Sequence, residues 1–416
     1  TKIPTLVPTE NWFSLEISDE VPPFYGQLFN DLSLESSVPM LLQQCIQSNP
    51  STIWQGEYVF AVVAQFPTVV DEVSFEDIEK LWQGEGNQDN AFKQLLISDQ
   101  YEESITNLWG VPDTSTVLFL DENRILTELW EQGNRLALVP FEAIEPRMKV
   151  LSVDGVNPMM NSFNSAQYAL TANYCLDHSQ KKKFSLDDFS VPQTNRDADK
   201  MTSILMTGVT ALTRETAYKM EINGFLYPAE EIKDWFDQAD IVHISNEVPF
   251  TEECLVREPP FSGSRFCSRP EYFELLEYIG TNVIELTGNH LLDYGDDAFQ
   301  EMISILQSKN IDYFGGGSSI AEASQSLLLT HHGNEFEFFG CNVPGPDSVF
   351  ATDDQGGANP CVLDELVLQV QNSVENGKIP IVTFQHYEAC QTKPMSAQKV
   401  DMDRLAQAGA MIVSGS

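Results

Sequence analysis

The run Asn282-Val283-Ile284-Glu285-Leu286, followed by Thr287-Gly288-Asn289-His290-Leu291-Leu292-Asp293-Tyr294-Gly295, decides how the second half of this chain is read. A short apolar run bounded by turn residues is a buried strand. The loop after it carries an amide, an imidazole and a carboxylate close together. An asparagine carbonyl suits a hard or borderline divalent cation, and the histidine beside it can donate a proton or stabilise developing charge. The same residues also serve a plain loop, because Asn tolerates a left-handed turn and His can sit satisfied in it. What surrounds the loop has to decide.

Working outward from Met201, strand and helix signals alternate. Strands are expected at 203–207, 241–245, 283–286, 335–340 and 379–384, with a last one within 410–416. Helices are expected between them at 228–238, 270–279, 298–308 and 362–375. That alternation predicts an α/β domain with chemistry in loops at the carboxyl ends of its strands. After the first strand comes Thr207-Gly208-Val209-Thr210-Ala211-Leu212-Thr213-Arg214, with no acid and no histidine. Asn246-Glu247 follows the second, Asn289-His290 with Asp293 the third, and Gln385-His386-Tyr387-Glu388 the strand at 379–384. Glu, Asn and His at three strand ends form a plausible oxygen-and-nitrogen set for a divalent metal. His243 lies mid-strand and is read as no ligand. His331-His332 precede Gly333-Asn334 in a hairpin turn and are read as solvated. Gly315-Gly316-Gly317 lacks the Lys-Ser/Thr of a phosphate-binding loop and is read as a turn.

The first part of the chain is also α/β. Val59–Ala64, Thr116–Leu120, Arg135–Pro140 and Lys149–Val153 read as strands, and Phe75–Trp82 as a helix capped by Ser74. Residues 1–176 are therefore taken as one domain, the polar and aperiodic 177–200 as a linker, and 201–416 as a second domain.

Composition narrows the function. In 416 residues, 42% hydrophobic content with 25 Phe, 12 Tyr and 6 Trp supports substantial cores. The 62 acidic residues against 23 basic give a net charge of −39, which disfavours nucleic acid and anionic membrane surfaces as partners. A polyanion would also be repelled unless divalent cations screen the field. No run approaches the roughly 20 apolar residues of a membrane span. No signal peptide opens the chain, and the missing Met suggests a processed or trimmed product. The seven cysteines include no CxxC pair. Cys254 and Cys267 flank a Pro/Gly/Ser loop, which they either close as a disulfide or leave as two thiols.

Two resemblances add to this. Phe66 to Ser74, Leu81-Trp82-Gln83-Gly84 and Leu138 to Glu142 resemble phrases of periplasmic substrate-binding proteins of the phosphate type, over about 100 residues. That likeness implies a substrate-binding-protein-like first domain, serving as scaffold or as ligand binder. Residues 201–416 resemble the CapA/PgsA family of poly-γ-glutamate capsule synthesis. The matching pieces are Ala239-Asp240 to Asn246-Glu247, Val283 to Gly295, Ile311 to Ala323 and Ala408 to Ser416.

The second resemblance implies a metallophosphoesterase-like layered α/β domain, truncated at its C-terminus, behind the smaller first domain. It places Glu247 at an acidic metal ligand, Asn289 at a metal-binding asparagine and His290 at the catalytic histidine. Asp293 becomes a supporting acid or helix cap. His386, or Gln385 if the alignment slips by one residue, falls at a ligand histidine. The family's first aspartate is Val209 here, and its last histidines would follow Ser416. The implied cofactor is a divalent metal (Mn, Mg, Zn or Ca), and the implied partners are poly-γ-glutamate or other capsule components and capsule-synthesis membrane proteins. The implied location is extracellular or at the cell surface, through a removed signal or lipid. Two functions remain open: a metal-dependent hydrolase or transferase acting on phosphoester or γ-glutamyl bonds, and a non-catalytic binding or assembly protein that keeps only the fold.

Overall fold

The computed structural model describes residues 13–31, 35–36, 39–45, 49–85, 91–178, 191–387 and 393–415. The chain divides into two compact units, Thr1–Ala198 and Asp199–Ser416.

The first unit is organised by the long strand Thr52–Gln65. Its first half alternates buried and half-buried residues, and Tyr58–Ala64 is buried throughout. The alternating half pairs antiparallel with Thr171–His178. The buried half is covered on both faces, one by an aromatic-rich core and the other by Ile125, Leu126 and Leu129 of the helix Glu122–Glu131. This is the pattern expected when a strand passes from the rim of a sheet to its centre. Helix Phe75–Trp82 starts where the sequence predicted, with Ser74 Oγ accepting from Asp77 N at 3.1 Å. The single strand expected at Lys149–Val153 is two, Met148–Val150 and Ser152–Val153. Leu151 N donates to Val62 O, after which the chain leaves to pair with Glu72–Val73.

Within 177–200, Asp177 and His178 end the strand Thr171–His178, and residues 179–190 lie outside the described residues. Residues 193–196 bind back onto the first unit. Gln193 O accepts from Glu57 N, Asn195 exchanges two hydrogen bonds with Val59, and Arg196 Nε donates to Pro158 O at 2.6 Å.

The second unit contains two four-stranded sheets. The first is parallel: β1 (Ile204–Thr210), β2 (Ile241–Asn246), β3 (Val283–Glu285) and β4 (Asp312–Phe314). The second joins β5 (Leu327–His331), β6 (Asn334–Asn342), β7 (Ile379–Gln385) and β8 (Ile412–Gly415), with only the β5–β6 hairpin antiparallel.

Side-chain parity then sets the layers. Val242, Ile244, Ile284 and Leu286 face α2 (Phe273–Tyr278) and α3 (Asp296–Ser308), with α1 (Arg214–Asn223) adding Met220 to that core. Ile241, Val283 and Phe314 face Phe336, Phe338 and Ile381 across the gap between the sheets. Phe339, Val382 and Phe384 face α4 (Leu363–Glu375) and α5 (Ser396–Ala408) on the far side. The result is helix, sheet, sheet, helix: a layered metallophosphoesterase-like fold.

Several helices depart from expectation. The helix predicted at 228–238 is a tight turn at Tyr227–Ala229 and a single turn at Lys233–Phe236. Ile232 and Trp235 are exposed there, so the apolar spacing has no continuous face to bury. Residues 270–279 similarly divide into a turn started by Pro270 and the short α2. Helices α1 and α5 escaped the periodicity reading because each buries one residue, Met220 and Leu405 respectively.

Cys254 and Cys267 form a disulfide, and two further bonds, Cys45–Cys175 and Cys341–Cys361, join residues too far apart in sequence to be paired by inspection. Cys390 lies outside the described residues.

Candidate functional site

The loops after β1, β2, β3 and β7 meet at the carboxyl edge of the two sheets. Glu247 N donates to Thr210 O, bringing the second loop against the first. Gly288 brings the third against the second. A Cβ on Gly288 would lie 2.5 Å from Glu247 Cα and 2.7 Å from Glu247 O, so only glycine allows Asn289 to sit beside Glu247.

Residue 385 completes the group. Parity along β7 sends Ile381, Thr383 and Gln385 toward the inter-sheet layer, and Val382, Phe384 and His386 toward the outer helices. Gln385 Nε2 accordingly donates to Asn289 Oδ1 at 3.1 Å and to Glu247 Oε1 at 3.4 Å. His386 faces away. Its ring is 1% exposed, its Nε2 lies 3.0 Å from Asp401 Oδ2 on α5, and its Nδ1 accepts from Tyr387 N. The structure therefore brings Glu247 and Asn289 together with Gln385, and does not bring His386 to them.

A backbone donor fixes which way the Gln385 amide points. Gly345 N donates to Asn342 Oδ1 at 2.8 Å, so Asn342 Nδ2 is the group that donates to Thr287 O and to Gln385 Oε1. Gln385 Oε1 is thus the acceptor, and its NH2 faces Glu247 and Asn289. Asn342 is fully buried. Sequence reading passed over it because the end of β6 carries no carboxylate or imidazole. Below it, Glu285 accepts from Thr287 Oγ1 and lies 3.3 Å from His243 Nε2, both side chains buried between the sheets. His243 is thus a core residue, as its mid-strand position implied.

His290 is held differently. Its Nδ1 lies 2.8 Å from Asp293 Oδ2, which also accepts from Phe266 N at 2.7 Å. The Phe266 ring packs edge-on against the imidazole at 4.5 Å. A carboxylate on Nδ1 places that proton there and leaves Nε2 as the outward atom, on a side chain 26% exposed. Asp293 orients His290 and does not cap α3, whose N-cap is Gly295. Val209 is exposed near the end of β1, paired in register with Ser245 of β2.

As arranged, these residues do not fit a divalent cation. Between Glu247 and Asn289, where an ion would take their oxygens, the pinned Gln385 amide presents N–H donors. The Asn289 carbonyl and one oxygen of the Glu247 carboxylate already accept from that NH2. Among the described residues, no three His, Cys, Asp or Glu side chains gather with metal-binding spacing.

The fold and its loops define the class: a layered α/β protein of two stacked sheets whose strand-end loops gather Glu247, Asn289 and Gln385 at one edge. The model of the bacterial capsule synthesis protein family, PGA_cap, matches residues 203–416, and the chain belongs to that family. A curated relative, the capsule biosynthesis protein CapA of Bacillus anthracis, is 21% identical over 229 residues, covering 54% of this chain and 56% of the relative. The chain thus spans a little over half the length of that relative.

Solved structures show fainter likeness. An ABC-type phosphate transport receptor from Vibrio cholerae is 13% identical with a TM-score of 0.29, covering 35% of this chain and 71% of the receptor. PstS from Borrelia burgdorferi is 12% identical with a TM-score of 0.28, covering 38% and 72%. At these scores neither informs what the first unit binds.

Proposed function

We propose that this capsule-synthesis family member acts at the cell surface in making or exporting a poly-γ-glutamate-type polymer, with a degenerate metallophosphoesterase-like site that serves binding or assembly. The observation that carries this reading is the Gln385 amide, held by Asn342 against Glu247 and Asn289. Val209, where an aspartate would add a ligand oxygen, supports it, since losing one carboxylate lowers metal affinity further. Any divalent ion is then weakly held.

Three disulfides favour an oxidising compartment outside the cytoplasm. Among the described residues no helix is long and apolar enough to cross a membrane. We extend the proposal to an anchor from a removed N-terminal signal or lipid, and to capsule-synthesis membrane proteins as partners. The test is equilibrium binding of poly-γ-glutamate in magnesium buffer alongside hydrolysis assays on phosphoester and γ-glutamyl substrates. Binding without turnover is expected; turnover that disappears in His290→Ala contradicts the reading.

The oriented His290–Asp293 pair favours a second reading, a metal-dependent hydrolase or transferase. That reading requires His290→Ala to abolish activity, and Asp293→Asn to lower it while shifting its pH profile.

A further inference from the structure

In a chain of net charge −39, most described cations are ion-paired: Lys80, Arg124, Lys219, Arg269, Lys309 and Arg404 each lie against a carboxylate. Arg214, Arg257 and Arg265 differ. They gather around the disulfide-closed loop Cys254–Cys267, and no carboxylate lies within 4.0 Å of any of them among the described residues. Among the acids around them, Glu215 pairs with Lys219, and the Asp293 carboxylate is taken by His290 and Phe266 N. Glu258, next to Arg257 in sequence, and Glu252 and Glu253 at the start of the loop are exposed and make no ion pair with the three arginines.

The three guanidiniums are held by neutral groups. Arg214 Nη2 donates to Gly263 O at 2.7 Å and lies over the Phe266 ring at 4.2 Å. Arg265 Nε donates to Asp293 O at 2.6 Å and lies over the Tyr294 ring at 4.6 Å. Arg257 donates to Ser262 O and to Tyr294 OH at 3.3 and 3.4 Å. These contacts fix the planes and leave most of each fork's five donors for something else. All three residues are exposed. The position is telling, because Phe266 carries Arg214 on its face and touches His290 with its edge.

The geometry points to an anion-binding cleft beside His290, formed by Arg214, Arg257 and Arg265, that takes an extended polycarboxylate chain. This rests on the polymer-binding reading above and names the residues that would carry it. The enclosed space between these groups is only about 20 Å³, roughly one water, so the ligand lies along the outer face. Leu255 and Val256, 76% and 49% exposed on the same loop, offer apolar contact to methylene groups between carboxylates, which a small inorganic anion would not use. Guanidinium–carboxylate contacts are charge-assisted and directional, which gives local affinity within a repulsive overall field.

The test is isothermal titration of the full chain with poly-γ-glutamate and, separately, with inorganic phosphate, at fixed magnesium and two salt concentrations. The wild type should bind the polymer, and the triple variant Arg214→Ala, Arg257→Ala, Arg265→Ala should bind it more than tenfold more weakly with a shallower salt dependence. If that variant does not fold, Arg257→Gln alone should still weaken binding about threefold. Equal polymer binding by wild type and variants overturns the cleft while leaving the polymer reading intact. A wild type that binds phosphate and not the polymer overturns the polycarboxylate assignment. A wild type that binds neither overturns both.

Discussion

At the scale of single residues, position 288 decides whether the site can assemble. Replacing Gly288 with Ala places a methyl group on the Glu247 backbone, which cannot move aside as a flexible side chain would. We expect a loss of about 1–3 kcal/mol, seen as a lower Tm, with the Glu247–Asn289–Gln385 group dispersed. Asn342 is the second critical residue. Asn342→Ala removes the donor to Thr287 O and Gln385 Oε1 and leaves both buried acceptors unpaired, at a cost of about 1–3 kcal/mol in urea unfolding. Freed of Asn342, the Gln385 amide can turn its oxygen toward Glu247 and Asn289. The variant should therefore bind Mn²⁺ more tightly than the wild type despite being less stable; unchanged metal affinity would show that the amide's orientation does not matter.

At the scale of elements, the loops at the ends of β2 and β3 were legible and the end of β7 was only half so. The strand–loop pattern from Val283 to Gly295 fixed Asn289, His290 and Asp293 in place, because the apolar run leaves one reading of where the strand stops. At Gln385-His386 the apolar run continues to the last residues of the strand, and a shift of one residue exchanges its two faces. Only the packing of Phe384 against α4 and α5, and of Ile381 against Phe338, settles that Gln385 faces inward. Asn342 and the arginine cleft were invisible for another reason: their roles come from contacts across the fold with no local spacing to announce them. The Cys254–Cys267 loop, by contrast, was visible as a possibility. Breaking it with Cys254→Ser and Cys267→Ser should cost about 2–3 kcal/mol, as for other loops of this size, and should weaken polymer binding by freeing Arg257 and Arg265. A Tm equal to wild type would contradict the first of these outcomes.

At the scale of the molecule, charge and buried phenols set the response to solution conditions. Burial pushes the Tyr58 hydroxyl well above the usual phenol range, helped by Tyr101 and Glu142, and pushes Tyr101 up to about 12. Phenols whose pKa is raised by folding contribute stability that is fully present below about pH 10, the unfolded value. That stability is lost as pH rises toward the folded values, by about 1.4 kcal/mol per pH unit for each group. Urea midpoints should fall between pH 10 and 11, and less steeply in Tyr58→Phe; parallel slopes would contradict this.

The net charge of −39 further predicts that Mg²⁺ or Ca²⁺ strengthens polymer binding severalfold and that EDTA reverses the gain. Central to all of this is that an amide stands where a cation would bridge Glu247 and Asn289. Titration of the dialysed wild-type chain with Mn²⁺, followed calorimetrically and by metal analysis, tests it most directly. Less than one equivalent should bind at micromolar metal, unchanged in Asn289→Ala. One or more equivalents held tightly and lost in Asn289→Ala would contradict it.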